Sequence, residues 1–420
     1  MKSEIISVGS ELTSGQNLDT NSQWLSQRLA EIGIAVGWHT TVADNLGDNI
    51  EAFRIATRRA GLVIITGGLG PTQDDLTREA LAGVAAVDLV FHQESFERIA
   101  EMFSKRGRSM PERNRVQALF PAGAEPIPNR RGTAPGIWMR MAECTVVAMP
   151  GVPSEMYAMF ETQVKPRLAQ AGIGGGVLVQ RKINCFGAGE SAVEQKLSDL
   201  THRDHVPEVG ITVSDATISL RILASAPSLA EAHALIAPVE TKIRERLGDL
   251  VFGADEEELQ HAVFRLLGET RRTLATAESL TAGLVARRLA EVPGVSAYLR
   301  GGIIAYDTGI KASLLGVQQN LLDTYGAVSS EVAEAMAVGC RERFQADVAV
   351  STTGIAGPGG GTADKPVGLV YAGLAWAGGT KTQAFNWPGT RLEVQSRAAK
   401  MALNLVRLHL LELKRKMPAP

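Results

Sequence analysis

Cysteine is scarce in this chain. Three residues in 420, Cys144, Cys185 and Cys340, show neither a paired spacing nor a Cys-x-x-Cys. That excludes a disulfide framework and a cysteine zinc site, and predicts buried or half-buried thiols in a reducing compartment. Charge of one sign is also lacking: 43 Lys and Arg stand against 45 Asp and Glu, a formal net charge of -2. The one basic block, Lys414-Arg415-Lys416, reads as a solvated helix end, so nucleic acid is not expected as a partner. No run of eighteen apolar residues exists, so no membrane span is expected. Met1-Lys2-Ser3-Glu4 passes at once into a strand-like Ile5-Ile6-Ser7-Val8. This leaves no room for a signal peptide, and a cytoplasmic location is the expectation. Histidine is missing where a base for acyl transfer would be sought, because none of the seven lies in a glycine-rich segment of the last third.

Glycine is plentiful, at 43 residues, and many end apolar runs, which is where α/β folds place ligand loops. Hydrophobic content of 45% and charged content of 21% suit ordinary globular cores, and the length allows two to four domains. Ile5 to Val8 reads as a strand ending at Gly9-Ser10-Glu11. A helical pattern follows on Trp24, Leu25, Leu29 and Ile32 and stops at Gly33. Ile34 to His39 reads as a strand, Asp48 to Ala60 as a helix, and Leu62 to Ile65 as a strand ending at Gly67-Gly68, with helix resuming near Asp75. This β-α-β-α-β-α order predicts a parallel sheet with helices on both faces. The segment Thr66-Gly67-Gly68-Leu69-Gly70-Pro71-Thr72-Gln73-Asp74-Asp75 puts two carboxylates beside an amide nest. They can hold a divalent metal against a phosphate, or one of them can cap the next helix. The glycines are read as ligand-binding, since an exposed turn gives them no packing use.

Pro166 to Gly176 reads as a linker. Val177 to Phe186, Ala192 to Leu200, Val209 to Val213, Thr217 to Ala224 and Leu229 to Gly248 then form a β-α-β-β-α order. A small α/β spacer or dimerisation module is the reading. Beyond it, Thr273 to Ala277 is a strand and Leu280 to Leu289 a helix. Ser279 and Thr281 thereby lie near a helix N-terminus, as caps, or as nucleophile and phosphate ligand. Tyr306 and Lys311 follow another strand, and a desolvated lysine can serve a serine as base. Asp347 to Ser351 is a core strand delivering Thr352, Thr353 and Gly354. Leu369 to Ala375 is the next strand, with Gln383 to Trp387 as an antiparallel partner. Arg391 and Arg397 open a last helix running to about Leu413, and an arginine there suits a phosphate or carboxylate.

Several of these pieces together resemble the CinA family. In the first domain they are Gly9-Ser10-Glu11-Leu12, Asp19-Thr20-Asn21, Gly67 to Thr77, Asn129 with Gly132 to Gly136, and Pro150 to Met156. This part is similar to the MoaB/MogA-type molybdopterin-binding fold, a three-layer α/β domain. The middle continues the resemblance through Gly187, Gly189-Glu190-Ser191 and Val251-Phe252-Gly253. The last part resembles the CinA C-terminal domain, also found free-standing as nicotinamide-nucleotide amidases of the PncC type. It does so through Ala277 to Gly283, Val292 to Ser296, Gly301-Gly302 with Tyr306 and Lys311, Thr353 to Gly361, Lys365 to Gly368, and Pro388-Gly389 with Arg391. The implied boundaries are 1–167, 168–254 and 256–415.

The resemblance implies two activities in pyridine nucleotide recycling. One is hydrolysis of the carboxamide of nicotinamide mononucleotide to nicotinate mononucleotide and ammonia, without a cofactor. Ser279 would be the nucleophile, Lys311 its base, and Tyr306 would orient the lysine or the ring. Thr353 and the Gly354 amide would meet the oxyanion, Thr281 and Gly283 would line the substrate, and Arg391 would take the 5′-phosphate. The other is ADP-ribose hydrolysis with a divalent cation (Mg2+, Co2+ or Mn2+) held by Asp74 and Asp75. Gly67, Gly68 and Gly70 would line that site, with Glu11 and Asn21 on the nucleotide side. A homodimer is implied as well. The chain departs from the family pattern at Ala282, where a second glycine is usual, at Thr390 in place of aspartate, and at Gln395 in place of arginine. The rival reading is a molybdopterin-binding or competence-related interaction protein without catalysis.

Overall fold

The apolar runs that lead to Gly9 and to Gly67 become strands whose carboxyl ends carry the turns. In the computed structural model, which describes residues 2–417, the chain forms two units. One comprises the residues up to Val179 with Ala224–Leu235, the other Gln180–Leu223 with the chain from Ile236 onward. The first contains β1 (Lys2–Val8), β2 (Ala35–Val42), β3 (Leu62–Thr66), β4 (Leu89–Phe91), β5 (Leu119–Pro121), β6 (Glu125–Ile127), β7 (Gly136–Met141) and β8 (Cys144–Met149). One sheet has the order β2-β1-β3-β8-β7-β6, and β4 pairs with β5 apart from it. The strands β2, β1, β3 and β8 are parallel, while β7 and β6 run antiparallel.

Every residue of β3 is buried, which is why its sequence reads as an unbroken apolar run. Alternation sorts the side chains into two cores. Ile6, Val63 and Ile65 pack with Phe53 and Leu81, and Ile5, Leu62 and Ile64 pack with Leu25, Leu29 and Phe160. Helices thus cover both faces, giving the expected three layers. The expected linker is corrected over its first half. Pro153–Met159, a π-turn at Phe160–Val164, and Lys165–Gln170 form successive helical segments, with Leu168 buried. Pro166 is the second residue of the last of these, directly after the π-turn, and the helical backbone continues through it without a break. The backbone becomes glycine-rich and left-handed only at Gly172 and Gly174 to Gly176.

The middle segment contains β9 (Val177–Phe186), β10 (Glu208–Ser214), β11 (Thr217–Ala226) and β12 (Val251–Ala254), in the order β10-β11-β9-β12. With helices Glu190–Thr201 and Leu229–Leu247 this is a split β-α-β-β-α-β arrangement. The fourth strand is additional to the sequence reading. The last segment has β13 (Leu274–Glu278), β14 (Leu299–Ile304), β15 (Val348–Gly354), β16 (Leu369–Trp376) and β17 (Gly379–Asn386), ordered β14-β13-β15-β16-β17. The first three in that order are parallel, and β16 and β17 are antiparallel. Helices Leu259–Thr270 and Arg391–Lys416 pack on Leu274, Val348 and Val350. Ser330–Phe344 packs on Ala275, Ala277 and Ala349.

Among the described residues no helix is long and apolar enough to cross a membrane. The three cysteines are free and buried. Burial pushes the thiol of Cys144 up to about 11 and those of Cys185 and Cys340 to about 12, so none of them is a ready thiolate at neutral pH.

One close approach fixes the helix Thr308–Leu315. A Cβ on Gly339, in the helix Ser330–Phe344, would lie 1.7 Å from the Leu315 carbonyl oxygen. Gly339→Ala is therefore expected to force the two helices apart at a cost of about 1–3 kcal/mol, read as a lowered denaturation midpoint. A midpoint equal to the parent's would show that the contact yields freely.

Candidate active site

The strands β14, β13 and β15 are parallel neighbours, so their carboxyl ends share one edge of the sheet. Ser279 follows β13 directly. Lys311, from the helix Thr308–Leu315, places Nζ 3.1 Å from Ser279 Oγ and donates to the Ala305 carbonyl at 2.8 Å. Ser279 is 8% exposed and Lys311 1%. Among the described residues no carboxylate pairs with this ammonium. Burial lowers the Lys311 pKa, with Asp307 opposing from a distance. A neutral amine with one N–H on Ala305 can turn its lone pair to Ser279 Oγ, which is what a general base requires.

The local backbone differs from the expectation. Ser279 to Gly283 form a turn, and the helix begins at Leu284. Its first amides are occupied by Glu278, whose carboxylate accepts from the N–H groups of Gly283, Val285 and Ala286 at 2.8–3.0 Å. Ser279 and Thr281 are therefore not caps, and that helix terminus does not present its amides to a ligand. Thr281 instead shares a 2.7 Å hydroxyl contact with Thr352. Glu278 is fully enclosed and was missed in the sequence. An acid ending a strand just before a hydroxyl–glycine turn is the signal that marks it. Two other amides remain. Among the described residues the N–H groups of Leu280 and Thr281 have no protein acceptor.

Thr353 reaches the same strand end, but its hydroxyl donates to the Ala327 carbonyl at 2.6 Å. It cannot at once meet an oxyanion. Gly354 closes β15 opposite Val370. Tyr306 is 55% exposed, and its hydroxyl accepts from Arg391 Nη2 at 2.5 Å, while Arg391 Nη1 donates to the Gly357 carbonyl at 2.8 Å. Tyr306 is thus gathered with the anion candidate, and its recorded partner is not Lys311. Arg391 is the first residue of the 26-residue final helix, with Thr390 and Glu393 forming a capping box. Thr390 therefore caps this helix itself. Gln395 donates to the Leu280 carbonyl at 2.8 Å, bracing the turn that carries Ser279. Arg397 donates to the Pro388 carbonyl.

In the first unit, two cavities of about 470 and 410 Å³ share Glu11 and Gly151. The larger is lined by Gly67, Gly68, Gly70, Asp74 and Asp75, the smaller by Asp19 and Asn21. The glycines here do have a packing use. A Cβ on Gly67 would lie 2.3 Å from the Val8 carbonyl oxygen, and one on Gly68 2.3 Å from Thr77 Oγ1. Asp75 is spent on its own loop, accepting from Gly70 N, Thr72 N and Thr72 Oγ1. Asp74 is exposed, and neither aspartate caps the helix Thr77–Ala85, whose first turn has no side-chain cap. Among the described residues no group of three or more His, Cys, Asp or Glu could hold a metal, and of the expected pair Asp75 is engaged by its own loop while Asp74 stands exposed. Arg78, nearly fully buried, pins the loop through the Leu69 and Gly70 carbonyls and was not singled out in the sequence. Asn21 Nδ2 donates to the Gly151 carbonyl, while its Oδ1 is buried with no partner.

Residues 256–410 match the family described as "CinA C-terminal domain", 4–170 the "Probable molybdopterin binding domain", and 180–253 the "Damage-inducible protein CinA KH domain". A CinA-like protein of Dictyoglomus thermophilum is 43% identical, covering 98% of this chain and 100% of its own length. A putative competence-damage inducible protein of Caldicellulosiruptor bescii is 40% identical over 98% of this chain and 100% of its own. Among solved structures, the protein CinA with unknown function from Thermoplasma acidophilum is 31% identical. It covers 40% of this chain and 98% of its own, with a TM-score of 0.37. These names speak of competence, damage and molybdopterin binding, and so side with the non-catalytic reading. Residues 180–253 contain no Gly-x-x-G, the loop with which KH modules clamp a nucleotide backbone.

Two outcomes are expected. Ala282 holds a left-handed backbone, φ 51°, so Ala282→Gly is expected to stabilise by about 1 kcal/mol, seen as a higher unfolding midpoint; a lower midpoint would contradict the assigned strain. Lys311 has its folded pKa below the ordinary 10.5, so the unfolded chain binds the proton more tightly and stability rises with pH between those values. Lys311→Met is then expected to be more stable than the parent at pH 7, with the difference shrinking as the pH approaches 10.5. Denaturant titrations across pH check this, and a pH-independent difference would contradict it.

Proposed function

The chain belongs to the CinA family, and from that premise we propose that its C-terminal domain hydrolyses a carboxamide, with nicotinamide mononucleotide as substrate. The observation that carries this reading is the buried 3.1 Å approach of Lys311 Nζ to Ser279 Oγ, without a carboxylate on the lysine. Neutral Lys311 takes the Ser279 proton as Oγ attacks the amide carbon. The carbonyl oxygen gains the charge, and the free N–H groups of Leu280 and Thr281 are the donors assigned to it in place of the Thr353 hydroxyl. Lys311 returns its proton to the leaving nitrogen, ammonia departs, and water cleaves the acyl-serine by the same relay. Arg391, Tyr306 and the start of the final helix are the assigned phosphate end.

For the N-terminal domain we propose binding of an anionic, phosphate-bearing ligand of the molybdopterin or ADP-ribose kind at the ends of β1 and β3. The glycine turn Gly67-Gly68 at the carboxyl end of β3 supports the phosphate end, and the unpartnered Asn21 Oδ1 beside Glu11 offers acceptors to hydroxyl or amino groups of such a ligand. Metal-dependent hydrolysis needs ligands that Asp74 and Asp75 do not gather to supply, and no step is assigned to them. The reading without catalysis rests on the names of the matching families and relatives.

Ammonia release from nicotinamide mononucleotide by the full chain separates the two readings, and its absence would leave the non-catalytic one. Ser279→Ala is expected to lower kcat at least about a hundredfold with folding intact, and Lys311→Met to match it. Arg391→Ala is expected to raise KM with little change in kcat. A near-parental rate for folded Ser279→Ala would remove the nucleophile assignment. Acylated Ser279 after rapid quenching would support direct attack over a positioned water.

A further inference from the structure

A cavity of about 670 Å³ lies in the second unit, away from Ser279, where the middle segment meets the final helix. Phe186, Val213, Leu247, Met401 and Trp387 supply apolar lining. Its polar end is made by the turn Gly187-Ala188-Gly189 with Asn404 and Arg407. That glycine turn was conspicuous in the sequence and has no part in either activity above.

Three observations at this end point to an anion. Gly189 opens the 12-residue helix Glu190–Thr201 with no side chain capping it, so the first-turn amides present unpaired donors and the positive end of the helix dipole. Asn404 is 5% exposed. Its Oδ1 accepts from Arg407 Nε and Nη2, which fixes the amide orientation and turns Nδ2 the other way. Nδ2 has no protein acceptor among the described residues and faces the glycine turn: a Cβ on Gly187 would lie 3.6 Å from it. Arg407 is 2% exposed and is bound by carbonyls and by Asn404 Oδ1. The nearby Asp249 carboxylate pairs instead with Arg415. A buried guanidinium without a carboxylate in hydrogen-bond contact favours a counter-charge. Glu190, the other acid on the rim, is exposed.

The volume fits a small organic molecule, and its walls are held together. Lys400 bonds Asp215 and Thr217, and Ser396 bonds Asp215. From this we infer that the cavity is a third ligand site, binding a small organic anion with an apolar or aromatic body in the apolar part and a phosphate or carboxylate group on the Gly187–Gly189 turn and Asn404 Nδ2.

The test uses the full chain and 1-anilinonaphthalene-8-sulfonate, an aromatic body with an anionic group. Its fluorescence is titrated with phenyl phosphate, benzoate or neutral benzyl alcohol as competitor. Displacement by phenyl phosphate or by benzoate identifies the head group, and benzyl alcohol is expected to displace at least tenfold more weakly than the better of them. Gly189 has φ -82° and ψ 155° and open space around its Cβ, so substitution there is unstrained. Gly189→Asp caps the helix and sets a negative charge in the anion position. It is expected to weaken probe binding at least tenfold without lowering the unfolding midpoint, while Gly189→Ala stays within threefold of the parent. Gln383→Glu, at an exposed position lining the same cavity, gives a second route and is expected to weaken binding. Parental binding by both acidic variants, equal loss in Gly189→Ala, or displacement by benzyl alcohol as strong as by the anions would each overturn the inference.

Discussion

A lysine kept from water with no carboxylate beside it is the constraint on which the second unit depends. Removing an ammonium from water is unfavourable, and the protein holds Lys311 there by making the alternatives worse. The Ala305 carbonyl fixes Nζ on one side and Ser279 Oγ on the other. The helix that carries the lysine packs so close to Gly339 that a side chain there would push it away from its place. Once the amine is placed, the serine must sit on a sharp turn at the end of β13. That turn needs the Glu278 carboxylate beneath it and Gln395 beside it.

Both halves of the chain use carboxylates in a way that sequence patterns disguise. Glu278 and Asp75 each follow or precede a glycine–hydroxyl turn and invite a catalytic reading. Each is instead satisfied by backbone N–H groups, shaping the loop from within. The groups for which no protein partner is found among the described residues are less conspicuous: the Asn21 carbonyl oxygen, the Asn404 amide nitrogen, and the backbone amides of Leu280 and Thr281.

Much of the fold was legible because β1, β3, β13 and β15 are apolar runs punctuated by glycine, and because helices such as Ser330–Phe344 follow a clear cap at Ser329. The Ser279–Lys311 pairing was legible as chemistry, since a glycine-rich hydroxyl turn without histidine calls for another base. The roles of Thr353 and Tyr306 were not. Which partner a hydroxyl finds depends on distant segments: Thr353 donates to the Ala327 carbonyl, and Tyr306 accepts from an arginine of the last helix. Pro166 misled for a local reason: it follows a π-turn inside a continuous helical stretch, an irregularity that the residue types do not announce. The glycines at 67 and 68 misled because close packing between turns leaves no trace in the residue types that flank them.

The final helix, Arg391–Lys416, carries Arg391 beside Tyr306 and, thirteen residues on, Asn404 beside the glycine turn of the middle segment. At about 1.5 Å and 100° per residue, those two positions are a rigid distance and a fixed rotation apart. An inserted or deleted residue anywhere between them would swing one end by about 100° relative to the other and unseat Gln395, Lys400 or Asn404 from its contacts. This stretch can drift by substitution while its length stays frozen, so gaps in related chains should fall outside it.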